Sequence, residues 1–247
     1  MSDEVERQPW NQEFKVRPHD LDPGGRLSLV AMLRLAEAHR WDVLRGDLAG
    51  AFTRVVVRSQ GLEMEGEAGY GDRLSCCMWV SRVGTTSVTF ASEAVGADGR
   101  VIARGSTTLV ATDEAGAPTP IGPGVAARRI DRPALEVPRR TWRRPSGTAA
   151  HALTVQHHDL DLLQHVNQAR YGDYVLSARD AIARSGGYGD FGRAADRPGA
   201  LELSYEGEAR LGDELRIHSW ALDERSLAFE VVRARDDATV TLAAVRA

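Results

Sequence analysis

Lysine is all but absent: Lys15 is the only one in 247 residues, so arginine carries the positive charge. The 31 Lys+Arg are outweighed by 35 Asp+Glu. A net charge of −4 excludes the generally basic surface that tracks nucleic acid. Cysteine is scarce too. Cys76 and Cys77 are adjacent in a strand-like stretch, where successive side chains point to opposite faces, so they make a poor disulfide. No Cys/His cluster has metal-ligand spacing; neither a metal nor a cofactor is expected, and a reducing compartment is. No apolar run approaches the ~18–20 residues of a membrane span, and the opening MSDEVERQPW holds no apolar signal core. These absences lead to the expectation of a soluble cytoplasmic protein without membrane or nucleic-acid partners. What is present is ample core material, 43% hydrophobic residues, in a length that suits one large domain or two small ones.

The dominant positive feature is an internal repeat. His19-Asp20-Leu21-Asp22 returns 139 residues later as His158-Asp159-Leu160-Asp161. Glu65-Gly-Glu67-Ala-Gly-Tyr-Gly-Asp72 returns 141 residues later as Glu206-Gly-Glu208-Ala-Arg-Leu-Gly-Asp213. Trp79 and Trp220 keep the spacing of 141, and Ser87 to Phe90 matches Ser226 to Phe229 at 139. Ordered matches in segments of mixed composition imply a tandem duplication of one small-domain-sized unit. The expected division is 1–114 for the first unit, 115–149 for a Pro/Gly/Arg-rich linker, and 150–247 for the second.

Each unit reads alike. A short alternating segment (Glu13 to Arg17, Ala152 to Gln156) leads into the Asp-rich turn and then an amphipathic helix. Leu29, Met32, Leu33 and Ala36 form one apolar stripe; Tyr171, Tyr174, Val175, Ala178 and Ile182 form the other. Ser28 and Asn167 are the expected N-caps. Four strand-like stretches follow, at 53–65, 72–83, 86–97 and 100–112, and again at 200–208, 213–222, 226–235 and 238–246. One helix on a long antiparallel sheet is an α+β arrangement. The repeat further suggests a pseudo-dimer, since each unit alone would leave sheet edges unpaired. The Gly-rich stretch Ser185 to Gly199 reads as a loop beside the second helix and a candidate lid or pocket wall.

The segment Asp159-Leu-Asp161-Leu-Leu-Gln-His165-Val-Asn167-Gln-Ala-Arg-Tyr171 resembles the strand-to-helix turn D-x-D-x-x-x-H-V-N-N-x-x-Y of hot-dog-fold thioesterases. Two such units in tandem are similar to the double-hot-dog acyl-ACP thioesterases of plants and bacteria. The resemblance implies hydrolysis of an acyl thioester in fatty-acid metabolism, with acyl carrier protein or CoA as the carrier. It also implies roles for Asp161, His165 and Glu208 of Tyr205-Glu206-Gly207-Glu208-Ala209. Leu163 stands where the family has Asn, and Ala209 where it has Cys or another small residue. The turn Asp22-Pro-Gly-Gly-Arg26 is similar to the D-x-A-G turn of single-hot-dog acyl-CoA thioesterases, which makes Asp22 a reserve site residue. Arg26 falls where His165 sits in the second unit.

Thioester hydrolysis needs an activated water or a carboxylate nucleophile, and donors for the developing oxyanion. The 159–167 turn places a carboxylate and an imidazole just before a helix N-terminus, where backbone N–H groups point outward. Against this stand plainer readings: Asp161 as a turn carboxylate, His165 as a structural histidine, Asn167 as a cap, Tyr171 and Tyr174 as core residues that also line an acyl pocket. Glu208 reads equally as a base and as a structural residue, because Glu67 occupies the same turn in the first unit. Arg139, Arg140, Arg143 and Arg144, with an exposed Trp142, read either as a solvated linker face or as a docking patch for an acidic carrier. Two other functions compete. A hot-dog hydratase or dehydratase resembles D-x-N-P-x-H, but Asp161 and His165 are four apart, not five. The other is a non-catalytic acyl-binding module. The duplication supplies a paired unit within one chain, so both monomer and homodimer are open.

Overall fold

The computed structural model describes residues 8–188 and 197–247. Two compact units divide the chain, Met1–Val137 and Pro138–Ala247. In the first, strand β1 (Trp10–Lys15) leads through a 3-10 turn (Pro18–Asp20) to helix α1 (Leu29–Arg45). Strands β2 (Arg54–Met64), β3 (Arg73–Val83), β4 (Ser87–Gly96) and β5 (Val101–Thr112) follow, then the short helix α2 (Pro123–Ala127). The second unit runs β6 (Ala149–Thr154), a 3-10 turn (His157–Asp159), α3 (Arg170–Arg184), β7 (Ala200–Tyr205), β8 (Glu214–Ala221), β9 (Ser226–Arg233) and β10 (Ala238–Arg246). Among the described residues the named strands of each unit pair antiparallel. The strand order is β1-β3-β4-β5-β2 in the first and β6-β8-β9-β10-β7 in the second. The two units therefore repeat one another in both element order and strand order.

A long helix laid on a curved antiparallel sheet is the hot-dog arrangement, and the sequence pattern explains why it forms. Alternation buries one face of each strand: Leu74, Cys76 and Met78 of β3, and Leu215, Ile217 and Ser219 of β8, are buried at every second position. Bulges at Val57/Ser59, Val80/Arg82 and Thr239/Thr241 bend the longer strands. Helix α1 buries Leu29, Met32, Leu33 and Leu35; α3 buries Tyr171, Tyr174, Val175, Ala178 and Ile182. Among the described residues no helix is long and apolar enough to cross a membrane.

The opening strands begin and end earlier than expected, at Trp10–Lys15 and Ala149–Thr154. The cause is the turn that follows. Arg17 and Gln156 are extended caps of the 3-10 turns, and their backbone N–H groups donate to the buried carboxylates of Asp20 (2.9 Å) and Asp159 (2.8 Å). Those residues leave the sheet ladder to close the turn. Residues 115–137 fall with the first unit, where Val125 of α2 is buried in the cluster of Val43, Met78, Val80, Val88, Phe90 and Leu109. Residues 138–149 fall with the second. Of the Ser185 to Gly199 stretch, residues 189–196 lie outside the described residues.

Candidate active site

Two turns of the second unit build the site. The first, 159–167, is a tight loop closed by a Leu160–Val166 bridge and by Asp161 N donating to His165 O at 2.9 Å. Gln164 takes a left-handed conformation (φ 62°) at the position where the first unit has Gly25 (φ 77°), because a loop this short must reverse there. The Asp161 carboxylate accepts Leu163 N at 2.8 Å and His165 N at 3.4 Å, so it organises the loop that carries it. The neighbouring leucines 162 and 163 are exposed at the tip.

The second turn, 206–213, follows β7. Two contacts latch it to the first: Val166 N donates to Ala209 O at 2.9 Å, and the Tyr205 hydroxyl donates to Gln168 O at 2.9 Å. The latch brings Glu208 to His165, with Oε2 3.1 Å from Nε2. Arg233 fixes the same turn by donating to Glu208 O at 2.6 Å. Residues 43 positions apart in sequence are thus neighbours, and the Tyr205 and Ala209 positions hold the frame.

Asn167 is not the helix N-cap. Helix α3 begins at Arg170 with Ala169 as cap, and Asn167 works one step earlier, its Oδ1 accepting Ala169 N at 2.9 Å and its carbonyl accepting Arg170 N at 2.9 Å. The turn of chain from Asn167 to Ala169 delays the helix, and two of its leading N–H donors are engaged internally. Tyr171 and Tyr174 are buried, stacked edge-on at 6.0 Å, and Tyr171 also packs on Tyr205 at 5.8 Å. Burial pushes both hydroxyls well above the usual tyrosine range, and the nearby Glu208 carboxylate adds to this for Tyr171, Asp159 for Tyr174. Both remain neutral.

The first unit holds the same pair of turns with different occupants. Asp22 accepts Arg26 N at 3.1 Å, as Asp161 accepts His165 N. Arg26, however, reaches both carboxylates: Nε lies 3.7 Å from Asp22, and Nη1 donates to Glu67 at 3.3 Å. A guanidinium is a permanent cation and cannot act as a base. Asp22 and Glu67 are therefore neutralised by a group that the second unit replaces with an imidazole.

The arginine run differs from the exposed patch expected. Arg140 is half-buried, donating through Nε to Glu202 at 2.8 Å; Arg144 is half-buried beside Glu230 at 3.2 Å. Arg139 lies 3.6 Å from Glu206. Trp142 is half-buried, edge-on to Trp220 at 6.1 Å. The segment lies against unit-two carboxylates and an aromatic that the sequence pattern did not reveal as its partners. Arg139 and Arg143 remain exposed. Sequence reasoning also missed Arg210, whose Nη2 is 3.3 Å from His165 Nε2 and 3.8 Å from Glu208. The signal was available: Arg210 is two residues beyond Glu208, where the repeat has Gly69. Among the described residues no group of three or more His, Cys, Asp or Glu side chains is placed to hold a metal ion.

Comparison with known proteins bears on the same unit. Residues 143–246 match the family model of the acyl-ACP thioesterase C-terminal domain. No curated protein sequence matches the chain. Among solved structures, the chain is similar to an acyl-ACP thioesterase from Bacteroides thetaiotaomicron (TM-score 0.78, 21% identity, covering 100% of this chain and 99% of that one). It is also similar to a 12:0-ACP thioesterase from Umbellularia californica (TM-score 0.79, 20% identity, 96% of each chain). A peroxisomal multifunctional enzyme type 2 from Drosophila melanogaster shares the fold over 96% of this chain and 48% of its own, at TM-score 0.64 and 14% identity. At such identities the likeness is one of fold, and the fold by itself does not select a reaction. The family-model match is confined to residues 143–246, within the unit that carries these two turns.

Proposed function

We propose that the protein hydrolyses an acyl thioester, carried on acyl carrier protein or CoA, to the free carboxylic acid and the carrier thiol. The observation that carries this reading is the clustering of Asp161, His165 and Glu208 on two latched turns of the unit that matches the thioesterase family model. In the reaction, water adds to the thioester carbonyl, and the C–S bond breaks as the thiolate leaves and takes up a proton. His165 accepts the water proton at Nε2, is paired with Glu208 once protonated, and returns the proton to the departing sulfur. Asp161 holds the turn and places a negative charge beside the imidazolium that forms. Asn167, Tyr171 and Tyr174 line the start of α3, where the acyl carbonyl is received. Arg139 and Arg143 steer an acidic carrier.

The same reading takes the two units as a tandem repeat of one hot-dog unit within a single chain. Its support is the repeated strand order. Domain boundaries at 114 and 150 belong to this reading as well.

The test is thiol release from a panel of acyl-ACPs and acyl-CoAs of varied chain length. Turnover of any member, lost in His165→Ala, supports the proposal. Binding of acyl ligands without release of thiol overturns it in favour of an acyl-binding module. Release of water or its addition to an enoyl thioester overturns it in favour of a hydratase.

A further inference from the structure

We infer that Arg210 is a positioning residue that sets which nitrogen of His165 carries the proton. The inference rests on the proposed role of His165 but not on any particular substrate. One atom, His165 Nε2, faces two partners of opposite demand: Glu208 Oε2 at 3.1 Å and Arg210 Nη2 at 3.3 Å. The carboxylate accepts only, so it pairs with an Nε2 that bears hydrogen. The guanidinium donates only, so it pairs with an Nε2 lone pair. One atom cannot satisfy both at once. The two partners suit the two protonation states of the ring. Neutral His165 accepts from Arg210 and keeps its hydrogen on Nδ1; protonated His165 donates its Nε2–H to Glu208. Arg210 Nη2 lies 3.8 Å from Glu208 Oε2, so each has the other as a counter-charge.

The first unit supports this by contrast. There the guanidinium beside the second-turn carboxylate is supplied by Arg26, at the His165 position, and the Arg210 position is Gly69. Packing does not force that glycine: a Cβ built on it would meet nothing closer than 3.9 Å, an ordinary contact. Each turn pair therefore holds one guanidinium against its glutamate. In the second unit the cation comes from the glutamate's own turn, which frees the first-turn position for an imidazole. The other charged group at the ring's own turn is Asp161, whose Oδ1 accepts the Leu163 and His165 backbone N–H groups.

The experiment is long-range 1H–15N NMR of His165 in the full chain, assigned with His165→Gln, for the wild type, Arg210→Met and Arg210→Lys. Above neutral pH the wild type should show an unprotonated Nε2 and a protonated Nδ1. Arg210→Met leaves Glu208 alone at Nε2 and should reverse the assignment; Arg210→Lys, which restores a donor cation, should restore it. Turnover provides the second reading, with kcat about tenfold lower in Arg210→Met, KM within twofold, and partial recovery in Arg210→Lys. The same tautomer in the wild type and Arg210→Met overturns the inference. If the wild type releases thiol from no thioester, the proposed function fails while the NMR result still decides the role of Arg210.

Discussion

Replacing Asp161 by Asn separates a structural from a chemical role, because the structure says what the amide can keep. The Asp161 side chain makes two turn contacts, to Leu163 N at 2.8 Å and His165 N at 3.4 Å, both to Oδ1. An Asn Oδ1 accepts the same two N–H groups, so the loop retains its geometry. What is lost is the charge assistance. Charged hydrogen bonds contribute ~1.5–3 kcal/mol and neutral ones ~0.5–1.5, so the stability cost is about 1 kcal/mol. For a chain of this size that corresponds to a melting shift of roughly 2–4 °C. The catalytic cost is larger if the carboxylate stabilises the imidazolium in the transition state: a loss of ~10²–10⁴ in kcat, or ~2.7–5.4 kcal/mol. The assay pairs thiol release with a thermal melt on the same preparation. Asp22→Asn, in the turn already neutralised by Arg26, should leave turnover within about threefold. Turnover of Asp161→Asn within threefold of wild type would refute a chemical role. So would a lost activity that comes with a melting drop beyond ~10 °C, since the turn itself would then have failed.

Acid sensitivity should trace in part to Asp20. Burial alone would raise its pKa, but the Arg17 guanidinium and backbone N–H bonded to it hold it below the usual carboxylate range. A depressed folded-state value means stability that is present above the unfolded value, near 3.9, and lost as pH falls through the folded one. Asp20→Asn should therefore cost about 1–2 kcal/mol at neutral pH and flatten the decline in melting temperature below pH ~4, measured by melts from pH 7 to 2. The arginine run should split in two. Arg139→Ser with Arg143→Ser should raise KM for acyl-ACP more than for a short acyl-CoA, in a salt-sensitive way. Arg140→Ser with Arg144→Ser should lower the melting temperature by removing cations from the half-buried carboxylates Glu202 and Glu230. Equal KM changes in both pairs would refute the division.

The repeated order of elements, the one long helix of each unit, and eight strand positions were legible in the sequence, because period-2 and period-3.6 burial are local properties of the chain. So was the placing of Asp161 and His165 in one loop, since their spacing there is set by consecutive residues. Ser28 was legible for the same reason: its hydroxyl accepts Ala31 N at 3.1 Å, three residues away. Other features depended on residues far apart. The opening strands end where buried Asp20 and Asp159 draw Arg17 and Gln156 out of the ladder, a competition that alternation does not record. Asn167 looked like a cap by residue type, yet its side chain accepts Ala169 N and its carbonyl accepts Arg170 N, a turn that comes before the helix start at Arg170. The arginine run looked like a solvated patch because its partners, Glu202, Glu206, Glu230 and Trp220, lie more than sixty residues on. The meeting of His165 with Glu208 and Arg210 required the β7 turn to fold against the start of α3. Local pattern decides which face of an element is buried; which charged groups then share one atom is decided only when separate elements close on each other, since a hydrogen bond extends about 3 Å in space and has no period in sequence.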